Sequence, residues 1–243
     1  MTADEVAVTT VIDLDDLATW PDSVLAWASD WAKRPLSLDP VPGVLMEHDD
    51  ELRQLLAGHK VLAYHCTRQL DYEIGGVRSQ GLRRLSPELV ADRLRGACER
   101  GFLTPDQHAS LSMTTVFALG EQENREGQIC LILGRSTLDR EAHGCAPLLE
   151  TWGGEGIYWG APERDPLLQS LGRPAIVVAG IDLDDREKAW AFCLGASFVA
   201  KLRGEEEMAG AEIFYRADIP AEDIFDIWQP GSPEYDQHVD LPR

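Results

Sequence analysis

Hydrophobic positions in this chain fall into two patterns: short continuous apolar runs and spaced apolar stripes. The runs Val61–Tyr64, Gln128–Leu133, Ala175–Asp182, Ala211–Ala217 and Ile224–Trp228 are too short for buried helices and read as strands. A further β-rich run, Val6–Leu14, precedes the first helix. The stripes read as helices. Val24, Trp27, Ala28 and Trp31 share one face of a helix that opens at Trp20-Pro21-Asp22-Ser23 and ends near Lys33. Pro35, Pro40 and Pro42 mark a loop, and His48–Leu56 is a short helix closed by Gly58. Residues 70–111 are mainly helical: one helix ends near Gly81, a second starts at Ser86-Pro87-Glu88-Leu89, and a third starts at Thr104-Pro105-Asp106. Residues 134–146 read as irregular, and 146–152 and 167–171 as short helical turns. Asp184–Arg203 is expected as one helix with Gly195 as its weak point.

This pattern predicts an α+β fold, with helices before and between the strands of one main domain over residues 59–228. Residues 1–58 are expected to form an N-terminal helical extension or cap. Residues 229–243, acidic and Pro-containing, are expected to be a poorly ordered tail. No apolar run reaches the roughly 18–20 residues that span a bilayer. The acidic start, Met1-Thr2-Ala3-Asp4-Glu5, lacks the basic-then-apolar order of a signal peptide. A cytoplasmic location without membrane contact is therefore expected. Five scattered cysteines without a C-x-x-C pair argue against a disulfide framework and a zinc site. The net charge of −20 in 243 residues opposes non-specific binding to polyanions. The modest basic candidates are Arg78, Arg83, Arg84, Arg93 and Arg95.

Several familiar sites are absent from the sequence: a G-x-x-x-x-G-K-[ST] phosphate loop, G-x-G-x-x-G, G-x-S-x-G and H-E-x-x-H. Cys66 beside His65 is a poor thiol nucleophile, because adjacent strand residues point to opposite faces. Three segments remain. The first is Tyr64-His65-Cys66-Thr67-Arg68, with Gly81-Leu82 one helix later. The second is Gly154-Glu155-Gly156-Ile157-Tyr158-Trp159. The third is Glu212-Ile213-Phe214-Tyr215, preceded by Gly210. Each has an ordinary reading: a core histidine, a glycine turn with packed aromatics, and a solvated glutamate at a strand start. Trp159 reads as core, Glu155 as solvated or a loop cap, and Arg68 has a surface salt bridge as its alternative.

In this order the three segments resemble the His–Tyr–Glu signature of the ADP-ribosyltransferase superfamily, in its poly(ADP-ribose) polymerase and diphtheria-toxin-like branch. The resemblance covers roughly residues 60–228 and is carried by about a dozen positions. It implies a split β-sheet core with flanking helices, NAD as substrate and no metal. It also implies catalytic roles for His65, Tyr158 and Glu212, which are to line one cleft between two half-sheets. His65 would hold the adenosine-side ribose, Tyr158 would stack on nicotinamide, and Glu212 would bind a hydroxyl of the nicotinamide ribose. Cys66, Thr67, Arg68 and Gly156 are the further NAD-contacting positions, with Arg68 directed at the pyrophosphate. Cys66 departs from the glycine usual there. Gly210 departs from the Glu or Gln of the arginine- and asparagine-modifying branches, and it argues against chain elongation. The expected activity is mono-ADP-ribosyl transfer of a toxin or phage-defence kind. The expected acceptor is a protein or small molecule ahead of nucleic acid, Glu155 lies near enough to the motif to contact it, and an inhibitory partner protein is a natural restraint. NAD glycohydrolase activity and a catalytically inactive nucleotide-binding module are the alternatives. RNA 2′-phosphotransferases of the same superfamily need basic residues at the pocket, and these read as sparse here.

Overall fold

A computed structural model describes residues 10–34, 42–123, 125–138, 145–159, 165–238 and 240–243, with the backbone alone for 42–47. The prolines at 35 and 40, residues 139–144 of the irregular stretch 134–146, and positions 6–9 of the first strand run lie outside these residues. Among the described residues seven strands form one sheet: β1 (Val11–Ile12), β2 (Lys60–Gln69), β3 (Ile129–Leu133), β4 (Arg173–Ile181), β5 (Ala189–Ala191), β6 (Ala211–Tyr215) and β7 (Ile224–Trp228). Their order is β5-β6-β3-β2-β4-β7, with β1 beside β2. Every pairing is antiparallel except β1–β2. The architecture is therefore α+β.

The pairing is uneven, and that decides where a site can form. β2 and β4 pair along their whole length, from Val61 opposite Ile181 to Gln69 opposite Arg173. β3 and β6 pair from Ile129 opposite Tyr215 to Leu133 opposite Ala211. Between β2 and β3 there is one register pair among the described residues, Tyr64 opposite Ile132. The sheet is thus a three-stranded half, β5-β6-β3, and a four-stranded half, β2-β4-β7 with β1 beside β2, the two sharing that single β2–β3 register pair.

Three apolar clusters flank the sheet. On one face α1 (Asp22–Trp31), α2 (Pro42–Leu56), α3 (Asp71–Gln80) and α9 (Leu194–Arg203) pack on Val61, Ala63, Val177 and Ile213. Val24, Ala28, Leu52 and Leu56 are fully buried in this cluster, so the N-terminal helices share the sheet's core. On the other face α6 (Cys145–Glu150) and α10 (Pro233–Asp236) cover Tyr64, Cys66, Ile176 and Trp228. The third cluster is made by α4 (Pro87–Glu99), α5 (Pro105–Ser112), α7 (Glu155–Tyr158) and α8 (Pro166–Ser170) around Trp152. Ser86 and Thr104 cap α4 and α5 as their sequences predict, each side-chain oxygen accepting a backbone N–H three residues on.

Two expectations are corrected. Asp184–Arg203 is not one helix. Ala189, Trp190 and Ala191 alternate buried, exposed, buried and form the edge strand β5 against β6. Cys193 then takes a left-handed conformation (φ 58°), and α9 starts at Leu194. Gly195 is a packing position: a Cβ there would lie 3.1 Å from Trp27 and 3.2 Å from the Asp49 carboxylate. That carboxylate accepts the Gly195 N–H at 2.8 Å. The C-terminal stretch is not a loose tail. Tyr235 is fully buried, its hydroxyl donates to the Pro242 carbonyl, and His238 stacks on Trp228 with centroids 6.3 Å apart. Three residues, Tyr235, His238 and Leu241, cover the second face despite the acidic, Pro-containing composition around them.

Candidate functional site

A cavity of about 230 Å³ opens beside the seam between the half-sheets. The end of β2 contributes His65, Cys66 and Thr67; β3 and β6 contribute Cys130, Glu212 and Phe214; the turn before and into α7 contributes Gly153–Gly156. Side-chain parity makes this convergence unexpected. Glu212 lies opposite Ile132, which lies opposite Tyr64, so Glu212 and Tyr64 share a face. His65, the next residue after Tyr64, belongs to the other face. In a continuous sheet His65 and Glu212 would be separated by the backbone layer. Because β2 and β3 part after a single pair, both side chains reach the opening between them.

His65 is held at the seam by a 2.9 Å hydrogen bond from Nδ1 to the Cys130 carbonyl. A carbonyl only accepts, so Nδ1 carries the proton and the neutral ring keeps a lone pair on Nε2. Burial pushes the imidazole below its ordinary range and the nearby Arg93 charge adds to this, while the Cys130 carbonyl opposes it. Cys66 points to the other face, buried with Tyr64 and Cys145. Contact with the Cys145 thiol and burial hold the Cys66 thiol well above its usual range, so it stays protonated. Burial likewise pushes Cys130 up to about 12.

The glycine turn has steric reasons. Gly153 and Gly154 both adopt positive φ, 101° and 63°, and a Cβ on Gly153 would meet that of Ile157 at 2.6 Å. Behind the turn lies a buried ionic network. Glu73 pairs with Arg93 Nε at 2.7 Å and accepts from the Leu70 N–H and from Trp152 Nε1, both at 2.8 Å. Arg93 in turn donates to the Gly153 carbonyl at 3.1 Å. Burial raises the Glu73 carboxyl, but the Arg93 charge and these hydrogen bonds outweigh it and hold the group below the usual carboxylate range.

Arg83, Arg93 and Arg125 all line the cavity, which corrects the reading that basic residues are sparse there. Arg83 and Arg93 stand in the basic stretch noted in the sequence. Arg125 sits in a polar loop whose pattern carries no signal. Arg93 Nη2 is buried and has no hydrogen-bond partner among the described residues. Glu155, read as solvated, also lines the cavity and pairs with Arg125 at 2.7 Å. Burial raises its carboxyl, the Arg125 charge opposes this, and the Glu212 charge adds to the rise.

Two expected site residues are not part of the lining. Tyr158 packs its ring against the third apolar cluster. Arg68 donates to the Leu171 carbonyl at 2.7 Å and the Leu149 carbonyl at 3.2 Å, tying α6 to the chain after α8 instead of meeting a carboxylate or an open cavity. Trp159, expected in the core, is 42% exposed, with its Nε1 donating to Glu121 and Arg125 lying over its ring. Among the described residues no cluster of His, Cys, Asp or Glu is disposed to hold a metal, and no helix is long and apolar enough to cross a membrane. The chain matches no protein-family model, no curated protein and no solved structure.

Proposed function

We propose that the chain is an NAD-dependent mono-ADP-ribosyltransferase whose reaction takes place in the seam cavity. One observation carries the reading: His65 and Glu212, far apart in sequence and opposite in parity, face a single cavity with the glycine turn Gly153–Gly156. In this reading Glu212 binds a hydroxyl of the nicotinamide ribose. As the glycosidic C–N bond breaks, nicotinamide leaves neutral and positive charge develops on the ribose carbon. A fixed carboxylate stabilises that charge more than the ground state, which is the requirement for catalysis. His65, neutral with Nε2 as acceptor, takes a hydrogen bond from a hydroxyl of the second ribose.

At about 230 Å³ the cavity is below the roughly 300–1,000 Å³ that enclose whole drug-sized ligands. It accommodates the reacting end of a dinucleotide, with the remainder lying outward. Arg68 is turned away, so contact with the pyrophosphate falls to Arg93 and Arg83, which line the cavity. Stacking by Tyr158 is not part of the proposed mechanism.

The test is incubation of the protein with NAD labelled in the adenylate, following nicotinamide release and label transfer. Glu212→Ala is expected to lower release about 10²-fold or more, the scale for loss of a group that stabilises developing charge. Unchanged release in that variant, or no NAD binding by the wild type, refutes the assignment. Release without transfer identifies water as the acceptor.

A further inference from the structure

We propose that Glu155 is the catalytic base on the acceptor side of the cavity, taking the proton from the hydroxyl or water that attacks the ribose carbon. The inference rests on the glycosyl-transfer reading above and adds a second carboxylate to it. An oxygen nucleophile must lose a proton as it bonds to the electrophilic carbon, and a positioned carboxylate does this work in glycosyl transfer generally. Glu212 is occupied with the ribose.

The chain just before β6 has no room for another acid two residues before Glu212. A Cβ at Gly210 would lie 2.0 Å from Thr137 Oγ1 and 2.9 Å from the Leu133 carbonyl oxygen. The second carboxylate comes instead from the loop side, at the first residue of α7. Glu155 lines the same cavity as Glu212 and is oriented by the 2.7 Å pair with Arg125. Its carboxyl is raised by burial and by the Glu212 charge, against the Arg125 charge, which makes it a stronger base than a solvated glutamate. The other groups on the wall are less suited. Cys130 is held protonated at neutral pH, and the one free lone pair of His65, on Nε2, is taken in this reading by the second ribose.

The acceptor oxygen's lone pair bonds to the ribose carbon, the acceptor proton passes to a Glu155 carboxylate oxygen, and the C–N bonding pair leaves on the nicotinamide ring nitrogen. Glu155 then returns the proton to solvent.

The experiment measures NAD turnover against pH with water as acceptor, for wild type, Glu155→Gln and Glu155→Asp, with and without sodium azide. Azide attacks without losing a proton, so it bypasses a missing base. Glu155→Gln is expected to lower kcat about 10²–10⁴-fold with KM for NAD unchanged. It should also lose the rise of kcat with pH, and azide should restore turnover with ADP-ribosyl azide as product. Glu212→Ala should not be rescued. If Glu155→Gln does not fold, Glu155→Asp carries the test: it keeps the rise with pH at a reduced rate, and azide accelerates it. Wild-type turnover in Glu155→Gln, a KM effect alone, or a loss that azide does not restore overturns the proposal while leaving Glu212 in place. A wild type that releases no nicotinamide overturns the underlying reading and this inference with it.

Discussion

Replacing Glu73 by Ala removes the carboxylate at the centre of the network behind the glycine turn. The Glu73 side chain is 9% exposed and that of Arg93 is 20% exposed, so the substitution strands a largely buried guanidinium. It also removes the acceptor for the Leu70 N–H and the Trp152 indole N–H, both at 2.8 Å. Adding three charge-assisted hydrogen bonds at about 1.5–3 kcal/mol each overstates the loss, because Glu73 no longer has to be desolvated. Measured breaks of buried pairs cost about 3–5 kcal/mol, and that is the expected loss here. Urea denaturation at pH 7, followed by circular dichroism, measures it.

The sign of the pH dependence is fixed by the depressed carboxyl. Glu73 contributes fully above its unfolded value, about 4.3, and the contribution is lost as pH falls through the lower folded value. The gap between wild type and Glu73→Ala should therefore be flat above about pH 5 and close below about pH 4. Replacing both partners, as Glu73→Leu with Arg93→Met, should recover much of the loss, since neither charge is then stranded. A cost for Glu73→Ala below about 1 kcal/mol, or a double variant no more stable than the single one, refutes the network's role.

Two further outcomes follow from burial. Tyr235→Ala should cost about 3–5 kcal/mol, the range for truncating a buried large aromatic, in the same urea titration; a loss within about 0.5 kcal/mol would mean that the C-terminal stretch is not part of the fold. The His65 imidazole is depressed, so stability should fall as pH drops below about 6.5 and level off below the folded value, by at most about 1.4 kcal/mol per pH unit. His65→Gln should lack that component when unfolding free energies are compared from pH 7.5 to 5, and identical slopes would show that His65 is not held neutral.

What the sequence made legible follows from where local rules act alone. The apolar runs that start at Gln128, Ala175, Ala211 and Ile224, the Ser86-Pro87 and Thr104-Pro105 starts, and the stripe Val24–Ala28 all depend on neighbours within one element, and they appear close to their predicted bounds. Tyr235 and Leu241 were hidden because composition averages over the acids around them, while burial depends on which few side chains meet an uncovered face. β5 was hidden because three alternating residues between Lys188 and Phe192 carry too little periodicity to compete with a helix. The site shows the same limit more sharply. Period-two alternation, applied to β2 and β6 as parts of one sheet, puts His65 and Glu212 on opposite faces. Their meeting depends on β2 and β3 sharing only the Tyr64–Ile132 pair, a property of how two strands fail to pair. No local pattern records that failure. Arg125 and Glu155 come from loop and turn residues whose polarity reads as solvation, and their place on the cavity wall is set by the same opening of the sheet. A site made at a seam is therefore least visible to the alternation rules that predict its strands. Its cavity is lined by residues those rules would separate.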